Sequence, residues 1–136
     1  MAKKAKPYPQ PVLDLLAEKS AVLRKAHAMA DMGMPETALP LWASAASYEE
    51  RLAPLLEALG RDREAAVHRI SAASCYRKAG KLNRAVNLYH AALAGPLPEE
   101  TQRQVQQMLA DCLAQLSRSA TDSTPPRRAG KVPTGV

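Results

Sequence analysis

The fold of this chain is decided by residues 66–97, which read AVHRISAASCYRKAGKLNRAVNLYHAALAGPL. Small and aromatic residues recur there at helical intervals on both sides of one glycine. They are Ala73, Tyr76, Gly80, Ala85, Tyr89 and Ala92. Side chains three and four apart share one helix face, and glycine tolerates the left-handed conformation that ends many helices. The spacing therefore predicts two antiparallel helices that are joined by a tight turn at Gly80.

The same intervals occur once upstream, around Gly33. The matching residues are Ala26, Met29, Gly33, Ala38, Trp42 and Ala45. Gly33 precedes Gly80 by 47 residues, so the second helix of the first hairpin is expected to be long, to end at Gly60 and to be kinked or broken by Pro54. Residues 62–79 are too few for two helices and a loop, and we expect one helix there.

The order and type of these residues resemble the tetratricopeptide repeat, in which a small residue, tyrosine, glycine, alanine, an aromatic residue and alanine stand at these intervals. The resemblance covers two hairpins. A further helix is predicted from an apolar stripe of Val105, Met108, Leu109, Cys112, Leu113 and Leu116. Together they predict an all-α fold of about five helices, at about 12–32, 35–59, 62–79, 82–94 and 98–117. The resemblance implies that antiparallel hairpins form a short right-handed superhelix.

The chain divides by composition into a helical segment and two basic ends. Residues 1–10 and 119–136 are rich in lysine, arginine and proline, and we expect them to be disordered. Residues 11–118 form the helical domain and carry 13 basic against 12 acidic residues, so the formal charge of +6 belongs mainly to the ends. A nearly neutral domain disfavours a nucleic-acid-binding fold, which usually carries a basic face.

The resemblance also implies where a partner binds, because the repeat family usually holds peptides in a groove lined by the first helix of each hairpin. The corresponding residues are Leu23, His27 and Asp31 of the first helix and Ile70, Ser74, Arg77 and Lys78 of the third. Some family members hold a terminal carboxylate with lysine and asparagine on these helices, and this chain has neither at those positions. Arg77 and Lys78 still favour an acidic peptide or helix as the ligand.

Three other surfaces remain as alternatives. A basic cluster surrounds Gly80, and with the basic ends it could attract nucleic acid or another acidic surface; its members are Arg69, Arg77, Lys78, Lys81 and Arg84. The long second helix could dock a partner through Trp42, Tyr48 and Leu55 if these side chains are exposed, although core packing is the commoner role of such residues. Self-association is possible through the apolar first helix, with Val12, Leu13, Leu15, Leu16, Val22 and Leu23.

No pattern indicates catalysis or a bound metal. His27, His68 and His90 are isolated from one another, and no metal-binding or phosphate-loop motif occurs. Cys75 and Cys112 lie on apolar faces, which is typical of buried free thiols in a reducing cytoplasm, with a disulfide between adjacent helices as the alternative. We expect a non-enzymatic cytoplasmic protein without cofactor, membrane span or signal peptide, whose function is to bind another protein.

Overall fold

A computed structural model describes residues 7–123, and these form five α-helices without any strand. The helices are α1 (Gln10–Asp31), α2 (Pro35–Ala58), α3 (Asp62–Lys78), α4 (Leu82–Leu93) and α5 (Glu99–Ser123). Each helix packs against the next one along the chain, so that the fold is a series of antiparallel hairpins. The prediction of an all-α fold of five helices is confirmed.

The turns after α1, α2 and α3 share one backbone geometry. Gly33, Gly60 and Gly80 have φ values of 75°, 77° and 81°. In each turn the N–H of the residue after glycine donates to the carbonyl five residues back, and the glycine N–H donates to the carbonyl three residues back. This is the Schellman motif, which requires the left-handed conformation that glycine adopts at least cost. The two predicted glycine turns, and the predicted end of α2 at Gly60, are therefore present.

Alanines at fixed offsets from the three glycines let the helices approach closely. They lie seven residues before each glycine and five and twelve residues after it. None of the nine is more than 1% exposed; they are Ala26, Ala38, Ala45, Ala53, Ala65, Ala72, Ala73, Ala85 and Ala92. Because a methyl group keeps two helix backbones near each other, the same contact recurs at every turn. The sequence pattern around Gly33 and Gly80 thus extends to Gly60, where α2 joins α3.

Larger side chains fill two apolar clusters between the helices. The smaller one joins the first half of α1 to the second half of α2 and the start of α3; its buried members are Val12, Leu15, Leu52, Ala53, Leu56 and Ala65. The larger one includes Trp42, Tyr76 and Tyr89 and extends to α5 through Val105 and Cys112. Tyr76 and Tyr89, the two aromatic residues of the spacing around Gly80, are both buried in it. Both cysteines are buried and free, as expected.

Three details differ from the sequence-based expectation. Helix α2 runs through Pro54 without a break, so of the two expected effects of this proline the break is absent; neighbours such as Leu52 and Leu56 are buried and offset the backbone hydrogen bond that proline removes. Leu113 does not belong to the buried stripe of α5 and is 44% exposed. Helix α5 continues to Ser123, six residues past the expected end.

The first helix begins inside the segment that was expected to be an unstructured end. Tyr8 precedes α1, and its hydroxyl donates to Glu64 of α3 while the Arg61 guanidinium lies 4.5 Å from its ring centroid. The hydrogen bond to Glu64 and burial raise the pKa of Tyr8. This contact fixes the entry into α1 at Gln10. Residues 1–6 and 124–136 lie outside the described part of the chain, so the disorder expected of them stays a prediction.

Candidate groove between helices three and five

Three of the residues predicted to bind a partner line one groove. Ser74, Arg77 and Lys78 of α3 form one wall. The remaining lining residues come from α4 and α5; they are Tyr89, Met108 and Gln115. The groove has a volume of about 380 Å³. Its position follows from the repeated hairpins, which place α3 and α5 on the same side of α4.

Hydrogen bonds across the groove hold its polar residues in place. The Arg77 Nε–H donates to Gln115 Oε1 at 3.0 Å and so links α3 directly to α5. The hydroxyls of Ser74 and Tyr89 are 2.9 Å apart, and the Tyr89 hydroxyl oxygen is 4.0 Å from the Met108 sulfur. Tyr89 is only 1% exposed, so its ring is buried beneath the groove. Its hydroxyl group is the part that reaches Ser74 and Met108.

Trp42 of α2 joins the two halves of the predicted site. The Lys78 ammonium lies 4.4 Å from the centroid of its ring, within cation–π distance. The ring of His27 meets Trp42 edge to face, with centroids 4.8 Å apart. His27 of α1 and Lys78 of α3 are therefore neighbours through Trp42. The indole itself is 7% exposed and cannot serve as the exposed anchor considered for α2.

The other predicted partner-binding residues have different surroundings. Leu23 and Ile70 are half-buried and pack against the larger apolar cluster. Asp31 is exposed at the last residue of α1. These three residues lie on the predicted helices but do not line the groove, which is built from α3, α4 and α5.

Most cations of the basic cluster around Gly80 have partners within the protein. Arg69 Nη1 lies 2.8 Å from Glu57 Oε2 of α2, and this hydrogen bond lowers the pKa of Glu57. The Arg84 Nη1–H donates to the Tyr76 hydroxyl at 3.0 Å, and that hydroxyl donates to Glu50 at 2.6 Å. Burial and the Glu50 hydrogen bond raise the pKa of Tyr76. Binding of nucleic acid or another acidic surface by the cluster and the basic ends stays a prediction.

A second groove of about 510 Å³ lies between α1 and α2. Its residues are Pro11, Asp14, Leu15, Glu18, Arg51, Pro54 and Leu55. Leu55 is 37% exposed there, whereas Tyr48 is half-buried and has the Arg51 guanidinium 5.5 Å from its ring centroid. Along α1, Val12 and Leu15 are buried and Leu13 is exposed, so little of the apolar surface considered for self-association is available.

One buried charged residue was missed by the sequence analysis. Glu49 of α2 contacts His68 of α3 and Lys19 of α1. The signal was a glutamate at helical spacing among the small and apolar residues of α2, a position that requires polar partners.

Cys75 lies two turns beyond His68 on α3, about 10 Å along the helix axis, too far for the two to act together on one atom. Burial raises the pKa of the Cys75 thiol to about 11, so the reactive thiolate is disfavoured.

The contributions of α5 to the groove were also missed. Gln115 lies outside the apolar stripe that was predicted for this helix, yet it accepts the Arg77 hydrogen bond and is half-buried. Met108 and Gln115 are seven residues apart and therefore share one helix face, which was the available signal. Among residues 7–123, no group of three or more histidine, cysteine or acidic side chains is placed to hold a metal ion.

The described helices also include none that is long and apolar enough to cross a membrane. Comparison with known proteins adds no family to this description. The chain matches no family model, and searches of curated proteins and of solved structures give no match either.

Proposed function

We propose that this protein is a non-enzymatic interaction module that binds a segment of a partner protein, a peptide or a helix, in the groove between α3, α4 and α5. The observation that carries the proposal is the convergence of three predicted binding residues, Ser74, Arg77 and Lys78, on one groove. Side chains from three helices define it, so its shape depends on the complete hairpin array.

The chemistry of the groove supports a protein segment as the ligand. The half-buried Met108 supplies a polarisable apolar surface beside the buried Tyr89, and arginine, lysine and glutamine supply polar groups around it. Aromatic residues, methionine and arginine are enriched at protein interfaces, where an apolar centre is surrounded by a polar rim. Methionine also adapts its shape to different partners.

The proposal is tested by selecting displayed random peptides of about 16 residues on the immobilised full-length protein. A second selection uses Gln115→Trp, because an indole at this position fills part of the groove and the substitution removes the hydrogen bond that holds Arg77. We expect peptides that bind the unchanged protein and lose at least about tenfold in affinity to Gln115→Trp, which is the change expected from losing roughly 1.4 kcal/mol of binding.

Gln107→Trp is the matched control, since it places the same ring on the same helix at an exposed position outside the groove. Circular dichroism would verify that both variants retain their helices. Peptides that bind all three proteins equally would show that the groove is not the binding surface. Failure to enrich any peptide on the unchanged protein would contradict the interaction function itself.

A further inference from the structure

The charge of the groove identifies the chemistry of its partner more closely. Of the described residues that line it, two are cationic, Arg77 and Lys78, and none is acidic. Arg77 is half-buried between α3 and α5, where a charge interaction is screened less than on an open surface. A ligand that leaves this guanidinium without an anion would remove it from water at a cost.

Arg77 is also oriented before any ligand arrives. Its Nε–H is used in the bond to Gln115 Oε1, which fixes the edge of the guanidinium that faces α5. A guanidinium has five N–H donors in a planar fork, so the four donors on the Nη atoms remain after this bond. Holding one edge lowers the entropy that is lost when the other binds, and the fork matches the two oxygens of a carboxylate.

Lys78 places a second positive charge beside the first. Its ammonium lies 4.4 Å from the Trp42 ring centroid, which orients the side chain, and the residue is exposed. An ammonium acts as a point charge and gives attraction without a fixed geometry. Arg77 therefore supplies the directional contact, and Lys78 adds general attraction for negative charge.

We propose that the groove is specific for an acidic segment, in which the side-chain carboxylate of an aspartate or glutamate binds the Nη edge of Arg77 and a neighbouring apolar side chain packs on the half-buried Met108. The inference rests on the proposed function, because it names the partner of that same groove. Charge complementarity determines the occupant: a basic or neutral segment would bury the guanidinium without compensation.

The test uses the most enriched peptide from the selection above, synthesised with an amidated C terminus so that only side-chain carboxylates are present. Its affinity is measured for the unchanged protein, Arg77→Gln, Arg77→Lys and Arg51→Gln. We expect Arg77→Gln to weaken binding roughly tenfold or more, as for loss of a charge-assisted hydrogen bond. Arg77→Lys should lose less, because charge is kept and the fork is lost.

Arg51→Gln is the charge-matched control, since Arg51 is exposed and lines the other groove. It should leave the affinity within about twofold of that of the unchanged protein, because salt screens the effect of a distant surface charge. Replacing the critical acidic residue of the peptide by the matching amide should lower the affinity by the same factor as Arg77→Gln does. Combining the two changes should lower the affinity little further, because both remove the same contact.

The outcomes separate this inference from the proposed function. Enriched peptides that are sensitive to Gln115→Trp but contain no excess of aspartate and glutamate would retain the groove as the site and overturn the acidic specificity. Acidic peptides whose affinity is unchanged by Arg77→Gln, or which bind only with a free C-terminal carboxylate, would overturn it as well. An absence of groove-dependent peptides would overturn both.

Discussion

The Nδ1 atom of His68 lies 2.6 Å from Oε1 of Glu49, and this contact joins α3 to α2 at the boundary between the two apolar clusters. Glu49 is 3% exposed and is the one charged residue in the described chain that is fully buried. Its other oxygen lies 3.6 Å from Lys19 Nζ of α1. A single carboxylate thus connects three helices, and a buried carboxylate is stable in such a place only when it has these partners.

We predict that Glu49→Gln lowers the free energy of unfolding by about 2 kcal/mol, because it removes the negative charge that Lys19 and His68 face inside the protein. Glu57→Gln is the matched control. Glu57 also joins α2 to α3, through Arg69 at 2.8 Å, but its side chain is 45% exposed and such surface pairs contribute less than about 1 kcal/mol. Urea denaturation of both variants measures their free energies of unfolding. Equal decreases would show that the buried contacts of Glu49 stabilise the protein no more than the surface pair of Glu57 does.

The buried thiol of Cys75 should make the protein less stable at alkaline pH. Its pKa is raised from 9.0 to about 11, first by burial and then by the charge of Glu49. The unfolded chain therefore loses this proton at lower pH than the native protein does, so stability is full below pH 9 and falls as pH rises to about 11. A shift of this size corresponds to roughly 2 to 3 kcal/mol.

The measurement is the free energy of unfolding at several pH values between 8 and about 11, under reducing conditions, for the unchanged protein and for Cys75→Ala. The variant is less stable at pH 8 because its smaller side chain leaves a cavity. Its stability should nevertheless fall less steeply above pH 9, since it lacks the thiol. Parallel curves for the two proteins would contradict a buried, protonated Cys75.

The helices and turns of this fold are readable from local sequence. Gly33, Gly60 and Gly80 mark the three turns because a left-handed residue is required there and glycine adopts it at least cost. Alanines at helical spacing mark the contacts, since closely packed helices exclude larger side chains. These signals act over a few residues, and the described helix boundaries follow them to within two residues, except at the end of α5.

The groove could be predicted only on its α3 wall. Ser74, Arg77 and Lys78 follow from the offsets within one hairpin, but Gln115 reaches Arg77 across 38 residues of chain. Whether α5 turns its Met108 face or its opposite face toward α3 depends on how α4 and α5 pack, and periodicity alone does not select between them. The Glu49 network has the same character, because the residue is local but its partners are on other helices.

The turn at Gly80 provides a test of the shared backbone geometry. Gly80 has a φ of 81°, and a Cβ atom added there would meet nothing within 4 Å. Gly80→Ala should therefore destabilise the protein by about 1 kcal/mol through backbone conformation alone, without any steric clash. Gly80→Asn should cost less, because asparagine adopts the left-handed conformation more readily. Thermal unfolding of both variants measures the difference, and an alanine variant as stable as the asparagine variant would argue against the left-handed turn.

The close contact between α3 and α4 predicts that Ala85 tolerates no larger side chain. Ala85 is 0% exposed, and it stands five residues after Gly80, at the offset that recurs at all three turns. Ala85→Val should lower the free energy of unfolding by about 1 to 3 kcal/mol, because two added methyl groups force the helices apart. Ala91→Val is the matched control, since Ala91 is exposed on the same helix and valine there costs only its lower helix propensity, about 0.5 kcal/mol. Chemical denaturation of the two variants isolates the packing effect from the propensity effect. If both lost the same small amount, α3 and α4 would have room between them, and the small residue at this offset would not be what sets the spacing of the hairpins.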